Sequence, residues 1–198
     1  MKEFILRSLK AKTSPFDIND LKNAGRLDLV CNCITNALFI AGDLRRDAKI
    51  HVVLEGPNNP PKTISFDGNK LKGIEDEKSI AIKINEALIK SSGLTLNEEL
   101  DINPGISIAK KSFEQLVKDK SKSNQLIYLH KEGKDIRKTH LEENSIFIFG
   151  DYIGMPRKTE KLLDRLKAQR ISLSPIMLFS SQCIAIVHNE LDRRSIKL

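Results

Sequence analysis

The sequence predicts a single α/β domain, residues 1–198, with a largely parallel central sheet. Short β-branched apolar runs alternate along the chain with longer segments whose apolar residues recur at helical spacing. Hydrophobic residues make up 40% of the chain, which is enough for one sizeable core. No internal repeat and no long linker interrupts the alternation, so we expect one domain.

The N-terminal half contains clear strand and helix signals. FILRSL, beginning at Phe4, is typical of an opening strand, and KIHVVLEG (residues 49–56) of another. Residues 27–41 have apolar positions at helical spacing, and Gly42 can end that helix. Residues 76–93 form a second amphipathic pattern. The segment KTISFDGNKL indicates a hairpin that turns at Asp67 and Gly68, and residues 94–109 are expected to be loop-like.

The last third of the chain has the most regular alternation. Strands are predicted at residues 125–131, 145–150 and 170–174, and helices at 155–169 and 175–195. The last helix presents a broad apolar face, which indicates that it is buried although it lies near the end of the sequence. The residues expected on this face are Ile176, Phe179, Cys183, Ile186, Val187 and Leu191.

The charge of the chain favours a polyanionic partner. Lys and Arg number 33 and Asp and Glu 26, a net charge of +7, so RNA or DNA leads among candidate ligands. A basic surface without any partner is the alternative. Four basic residues flanking predicted strands, taken together, could line a phosphate track: Arg45, Arg46, Lys70 and Lys72.

Several site classes and locations are disfavoured. The chain has three cysteines, an odd number, at spacings that suit neither disulfides nor a zinc site: Cys31, Cys33 and Cys183. We therefore expect reduced thiols and a cytoplasmic protein. Because the histidines are also scattered, we expect no metal site. The N-terminus lacks a secretory signal. Polar residues interrupt the apolar run at 27–41, so we expect no membrane span.

The ends of the predicted parallel strands are where a ligand is expected. These ends carry Leu129 and His130, residues 150–154, and residues 173–178. No GxGxxG or GxxxxGK[ST] motif follows a strand, which argues against a dinucleotide site or a P-loop. Arg26 and Asp28 flank the start of a helix, where they could form a simple ion pair or favour the helix dipole.

Four segments together resemble a known family. They are GRLDLVCNCITNALFIAG (25–42), KIHVVLEG (49–56), FGDYIGMP (149–156) and SLSPIMLF (172–179). Across essentially the whole chain, the sequence resembles the archaeal tRNA pseudouridine-54 N1-methyltransferases of the SPOUT superfamily. The resemblance implies a SPOUT-type fold with a deep C-terminal trefoil knot, a homodimer, and S-adenosylmethionine as methyl donor. The substrate it implies is pseudouridine 54 in the T-arm of tRNA.

The resemblance also implies a set of site residues. Cofactor binding falls on Leu129, Gly150, Leu173, Ser174, Pro175, Ile176, Met177, Leu178 and Cys183. A glycine allows close backbone approach, an irregular loop offers N–H and C=O groups for adenine, and apolar side chains cover the rest of the donor. The resemblance implies that Arg26 and Asp28 are the catalytic residues. Arg26 would stabilise the negative charge that develops on the base or hold a phosphate, and Asp28 would orient the base. Cys183 is interpreted as pocket lining, since methylation of nitrogen needs no covalent cysteine.

Two alternative functions remain open at this point. A sister family methylates pseudouridine in small-subunit ribosomal RNA, usually with proline between the arginine and the aspartate, where this chain has Leu27. That family also has an arginine-rich segment in the region that reads SFDGNKLKG here, and this chain has only Lys70 and Lys72 there. The second alternative is a knotted RNA-binding protein without catalysis.

Overall fold

The centre of the molecule is an eight-stranded sheet. The computed structural model describes residues 1–195. Its strands are β1 (Lys2–Ser8), β2 (Phe39–Ile40), β3 (Asp43–Leu44), β4 (Ala48–Leu54), β5 (Lys62–Asp67), β6 (Glu99–Asn103), β7 (Ile106–Ala109), β8 (Leu126–Asp135), β9 (Ile146–Gly150) and β10 (Gln169–Ser172). Its helices are α1 (Leu27–Leu38), α2 (Glu77–Lys90), α3 (Phe113–Lys120), α4 (Arg157–Arg165) and α5 (Ser180–Ser195), with one 3-10 turn at Ile136–Lys138.

The sheet is parallel over five of its strands and antiparallel over the other three. The order is β10-β8-β9-β1-β4-β5-β7-β6, and all pairs from β10 to β4 are parallel. The remaining pairs, from β4 through β5 and β7 to β6, are antiparallel. The carboxyl ends of β1, β4, β8, β9 and β10 therefore lie at one edge of the sheet, where α/β proteins bind ligands.

Two expectations for the N-terminal half are wrong. The segment KTISFDGNKL forms no hairpin of its own, because β5 ends at Asp67 and pairs with β4 on one side and β7 on the other. Residues 94–109 are not a loop, since most of them form β6 and β7, which turn at Pro104 and Gly105.

Helices cover both faces of the sheet and enclose two apolar cores. Phe4 and Leu6 of β1 face the larger core, which α1, α2 and α5 cover. Ile5 points to the opposite face, where it packs with α3 and α4. This alternation along β1 follows from the two-residue period of a strand that is buried on both sides. Residues 1–195 contain no helix long and apolar enough to cross a lipid bilayer.

The last helix begins later than its apolar pattern predicts. α5 starts at Ser180, and residues 173–179 form an irregular segment after β10. Ile176 and Phe179 are therefore not on a buried helix face, since their side chains are 69% and 67% exposed. Ile184 and Val187 do enter the larger core. That this helix is threaded through a loop, as a trefoil knot requires, stays a prediction of the resemblance.

Polar contacts fasten α5 to the opposite end of the chain. Asp192 accepts hydrogen bonds from Lys2 of β1 and from Arg45, whose Nη2 lies 2.8 Å from Asp192 Oδ2. The buried His188 donates from Nε2 to the carbonyl oxygen of Ala37 in α1, at 3.0 Å. Its ring also packs edge-on against Phe4, with 5.0 Å between ring centroids. The helix is thus held by β1 and α1 together.

Candidate active site

Two adjoining cavities open at the carboxyl edge of the parallel strands. The larger, of about 430 Å³, lies between the start of α1, the loop after β9 and the start of α5. Its volume falls in the range of small-molecule sites. Its lining consists of Leu6, Leu29, Val30, Cys33, the loop residues 151–154, and residues 177–182. The smaller cavity, of about 80 Å³, shares Met177 and Leu178 with it, so the two cavities meet along this segment.

The smaller cavity brings together most of the predicted cofactor residues. Its lining includes Leu129, Leu173, Ser174, Ile176, Met177, Leu178 and Cys183, along with His130, Lys131, Ile171 and Ser172. Pro175 and Gly150, although predicted, do not line it. Pro175 is exposed on the outer side of the same segment, and Gly150 lies at the end of β9.

The segment between β10 and α5 has free backbone groups. Residues 174–178 form no hydrogen bond with other backbone groups of the described chain. Two hydrogen bonds with side chains engage this segment. The Ile176 N–H donates to Ser174 Oγ, and the Ser174 carbonyl oxygen accepts from Ser172 Oγ. Peptide groups that no other backbone group engages, beside an apolar groove, suit a ligand with its own donors and acceptors. The adenine and amino-acid parts of S-adenosylmethionine fit this description.

Gly150 has a close contact with the backbone of the loop that follows it. A Cβ atom at this position would lie 2.7 Å from the carbonyl carbon of Gly154, so the loop after β9 folds directly back over it. The Gly150 carbonyl oxygen accepts a hydrogen bond from Ser180 Oγ at 2.8 Å, which joins the loop to the start of α5. The glycine thus lets the protein's own backbone approach closely, and contact of Gly150 with the cofactor stays a prediction.

Replacing Gly150 by Ala should push the loop away from the start of α5. We expect affinity for S-adenosylhomocysteine, measured by calorimetry, to fall on the order of tenfold, because overpacking costs about 1–3 kcal/mol. Gly93→Ala is the matched control, since a Cβ at Gly93 meets nothing within 4 Å. Unchanged affinity in Gly150→Ala would show that this loop does not shape the cofactor groove.

Asp151, which the sequence did not single out, anchors the same loop. Its carboxylate accepts hydrogen bonds from Ser8 Oγ and the Leu9 N–H, each at 3.0 Å, and from the Ile153 N–H at 2.9 Å. These bonds tie the loop after β9 to the end of β1. The only sequence signal for this role is an acidic residue between a buried strand and a glycine-containing turn.

Arg26 and Asp28 face each other at the start of α1. Arg26 Nε lies 3.0 Å from Asp28 Oδ1, and Nη2 lies 2.9 Å from Oδ2, a two-bond fork. Arg26 has a left-handed backbone, with φ of 65°, and follows Gly25, with φ of 75°. The guanidinium also lies over the ring of Tyr152, 5.5 Å from its centroid. Because Leu29 and Tyr152 line the larger cavity, the ion pair stands beside that cavity.

The ion pair fixes the protonation of both partners. The hydrogen bond from Arg26 holds the pKa of Asp28 below its usual range, against the opposing effect of burial. The same bond raises the pKa of Arg26. Asp28 therefore stays ionised at neutral pH and can only accept hydrogen bonds. A carboxylate in this state orients a donor well but is a poor proton acceptor.

Cys183 lines the groove without signs of activation. Burial raises the pKa of its thiol, so the thiol remains protonated at neutral pH. A cysteine nucleophile is instead activated by a lowered pKa or a neighbouring base. Within residues 1–195, no group of three His, Cys, Asp or Glu side chains is placed to hold a metal ion.

The four basic residues proposed as a phosphate track do not reach this site. Arg45 is paired with Asp192, and Arg46 binds Asp43 and the carbonyl oxygens of Gly68 and Leu71. All four lie near the amino end of β4, where the Gly68 N–H bonds the Ala48 carbonyl. β4 has seven residues, which at ~3.3 Å each separates its two ends by roughly 20 Å. Arg45, Arg46, Lys70 and Lys72 are therefore at the wrong edge of the sheet for the cavities.

Comparison with known proteins identifies relatives along the whole chain. Residues 1–196 match the family described as "Putative SAM-dependent RNA methyltransferase". A tRNA (pseudouridine(54)-N(1))-methyltransferase of Methanocaldococcus jannaschii is 43% identical over 99% of this chain and 98% of that protein. The protein of the same name from Methanococcus aeolicus is 41% identical over the full length of both.

A solved structure shares the fold at low sequence identity. Nep1 of Archaeoglobus fulgidus, bound to S-adenosylhomocysteine, superposes with a TM-score of 0.63 over 98% of this chain and 99% of that one, at 13% identity. The predicted SPOUT-type α/β fold is thereby confirmed. The family matches residues 1–196, and two full-length relatives are more than 40% identical to this chain. The chain therefore belongs to the S-adenosylmethionine-dependent RNA methyltransferases of the tRNA pseudouridine-54 N1-methyltransferase family.

Proposed function

We propose that this protein transfers a methyl group from S-adenosylmethionine to N1 of pseudouridine 54 in the T-arm of tRNA. The full-length relatives that carry this activity in their names support the proposal. The observation on which it rests most is the Arg26–Asp28 ion pair beside a cavity that continues into the predicted cofactor groove. A carboxylate and a guanidinium beside the groove for the methyl donor can orient a polar base and stabilise the charge that develops on it.

The groove residues fit the methyl donor. The unpaired backbone groups of residues 174–178 would bind its adenine edge, while Leu129, Leu173 and Met177 cover its apolar surface. Bound S-adenosylmethionine supplies an electrophilic methyl group on its sulfonium sulfur. The larger cavity would then receive the target base next to that methyl.

Asp28 and Arg26 act on the base from the opposite side. Asp28 accepts a hydrogen bond from N1–H of pseudouridine and thereby fixes the ring for in-line attack. Negative charge develops on the uracil ring as N1 loses its proton, and the N–H groups of Arg26 that Asp28 leaves free stabilise that charge. Because the pKa of Asp28 is lowered, the proton passes on to water.

The substrate must present an unstacked base. The cavity of about 430 Å³ holds one base and part of the donor but no paired duplex. A pseudouridine in a T-arm loop therefore has to swing out of its stack to reach Asp28. The exposed Tyr152, held over Arg26, offers a ring face on which an unstacked base could rest.

We further propose that two copies assemble into a homodimer in the cytoplasm. Ile153, Ile176, Met177 and Phe179 are 46–80% exposed around the cavity rim. Such a cluster of exposed apolar side chains is a candidate interface, and a second copy would bury it. Light scattering should give twice the mass of the chain.

The tRNA substrate and the free thiols of Cys31, Cys33 and Cys183 support a location in the cytoplasm.

Transfer of labelled methyl to paired transcripts tests the activity. One tRNA transcript carries pseudouridine at position 54 and its control carries uridine. We expect incorporation only into the first, because uridine has no N1–H. Incorporation into small-subunit rRNA fragments but into neither tRNA would favour the ribosomal alternative. Failure to bind S-adenosylmethionine while RNA is still bound would favour a non-catalytic RNA-binding protein.

A further inference from the structure

The loop of residues 9–13, which follows β1, is firmly fixed at the edge that carries the site. The Leu9 N–H bonds Asp151 Oδ2 at 3.0 Å. Further along, the Lys12 N–H bonds the Ala24 carbonyl at 3.1 Å, and the Thr13 N–H bonds the Pro57 carbonyl at 2.7 Å. The loop is thus bonded to the segment before α1, to the segment after β4 and to the loop after β9.

Two glycines leave no space between this loop and its neighbours. A Cβ on Gly25 would lie 1.8 Å from the Lys10 carbonyl oxygen, and one on Gly56 would lie 2.2 Å from the same atom. The backbone of Lys10 is therefore in direct contact with the residue preceding Arg26. The loop therefore packs against the segment that leads into the Arg26–Asp28 pair.

The two lysines of this loop lack carboxylate partners. Lys10 is exposed and Lys12 half-buried, and neither forms an ion pair within the described residues 1–195. The carboxylates of the segments bonded to or packed near this loop are already engaged: Glu55 with Arg7, Asp28 with Arg26, and Asp151 with Ser8 and Leu9. Two lysines without carboxylate partners, on a loop whose backbone is fixed, leave two positive charges available to an anion.

We infer that Lys10 and Lys12 bind RNA phosphates next to the target nucleotide. The inference rests on the proposed function and adds a docking element to it. A flipped nucleotide leaves its flanking phosphates near the mouth of the cavity, and the loop of residues 9–13 is bonded through Leu9 to Asp151, which lines that cavity. Lysines that contact phosphates position the strand without reading its sequence. The same loop is tied through Asp151 to the segment that shapes the cofactor groove.

The chain offers a matched control for this inference. Lys10→Gln/Lys12→Gln and Lys70→Gln/Lys72→Gln each remove two positive charges at the same spacing. The second pair is exposed at the opposite edge of the sheet. Both double variants are to be assayed as full-length protein with the pseudouridine-54 transcript between 50 and 200 mM salt, roughly the range over which phosphate contacts dominate binding.

The two variants should behave differently. In Lys10→Gln/Lys12→Gln, we expect KM for the transcript to rise on the order of tenfold, and the slope of log affinity against log salt to become shallower by about 1 per lost contact. The uridine-54 transcript, used as a competitor, should lose affinity by the same factor. Lys70→Gln/Lys72→Gln should match the wild type, and so should Lys10→Arg/Lys12→Arg, which keeps both charges.

Equal KM and equal salt slopes in the two glutamine variants would overturn the inference. Unchanged affinity for S-adenosylhomocysteine verifies that the variants are folded. If the double variant is unstable, the single variants Lys10→Gln and Lys12→Gln give the change in KM and in salt slope instead. A wild-type protein without methyl transfer would refute the proposed function instead. In that case the salt dependence of RNA retention on filters still tests Lys10 and Lys12.

Discussion

Replacing Asp28 by Asn should reduce turnover on the order of 100-fold while leaving the affinity for S-adenosylmethionine nearly unchanged. Asn keeps the size of the side chain but removes the negative charge that holds Arg26. It also replaces one acceptor oxygen with an NH2 group. Two hydrogen-bond donors, this NH2 group and the N1–H of the base, would then face each other. Single-turnover transfer to the pseudouridine-54 transcript measures the chemical step, and calorimetry measures the cofactor affinity.

The control for this variant is Asp101→Asn, which makes the same change on the exposed edge strand β6. It should leave both quantities at wild-type values. A result in which Asp28→Asn weakens cofactor affinity but keeps its turnover would contradict the assigned role. The carboxylate would then be a support for the groove rather than a group that contacts the base.

Acidification should destabilise the protein through His188. Burial is the main cause that lowers the pKa of this histidine from 6.5 to about 4, and repulsion from Arg45 adds to it. Above pH 6.5 the ring is neutral in both folded and unfolded chains. Between pH 6.5 and 4 the unfolded chain binds a proton that the folded protein excludes, so the free energy of unfolding falls by about 3 kcal/mol.

His188→Gln should remove this part of the pH dependence. The glutamine amide can still donate to the Ala37 carbonyl, but it does not titrate. Urea unfolding at pH 7 and pH 4 should therefore show a smaller loss for the variant than for the wild type, by about 3 kcal/mol. His140→Gln, at an exposed histidine, controls for the substitution. Equally steep losses in the wild type and His188→Gln would show that another group controls acid unfolding.

The sequence predicted the five parallel strands better than the three antiparallel ones, for a physical reason. β1, β4, β9 and the first three residues of β8 are largely buried and appear as apolar runs. β6 is an edge strand whose first three residues are exposed, so its composition resembles that of a loop. The turn at Asp67 and Gly68 was recognisable, but local residues cannot reveal that the next partner strand lies 40 residues further on.

The candidate site was predictable only in part. The segment of residues 173–178 and Leu129 were recognisable because motifs in the sequence resemble a family. The contact between Arg26 and Tyr152, and the anchoring of two loops by Asp151, depend on distant segments meeting at one edge. Their geometry also needs the left-handed backbone at Gly25 and Arg26, for which an arginine gives no local signal.

The position of α5 couples ligand binding to the docking of this helix. Gln182 and Cys183 of this helix line the two cavities, and Asp192 joins it to Lys2 in the first strand. A chain in which this helix is undocked therefore lacks one wall of the groove. Any ligand that needs that wall binds the docked form alone and shifts the population toward it by mass action. Bound S-adenosylmethionine would thus stabilise the docked position of α5 as well as serve as the methyl donor.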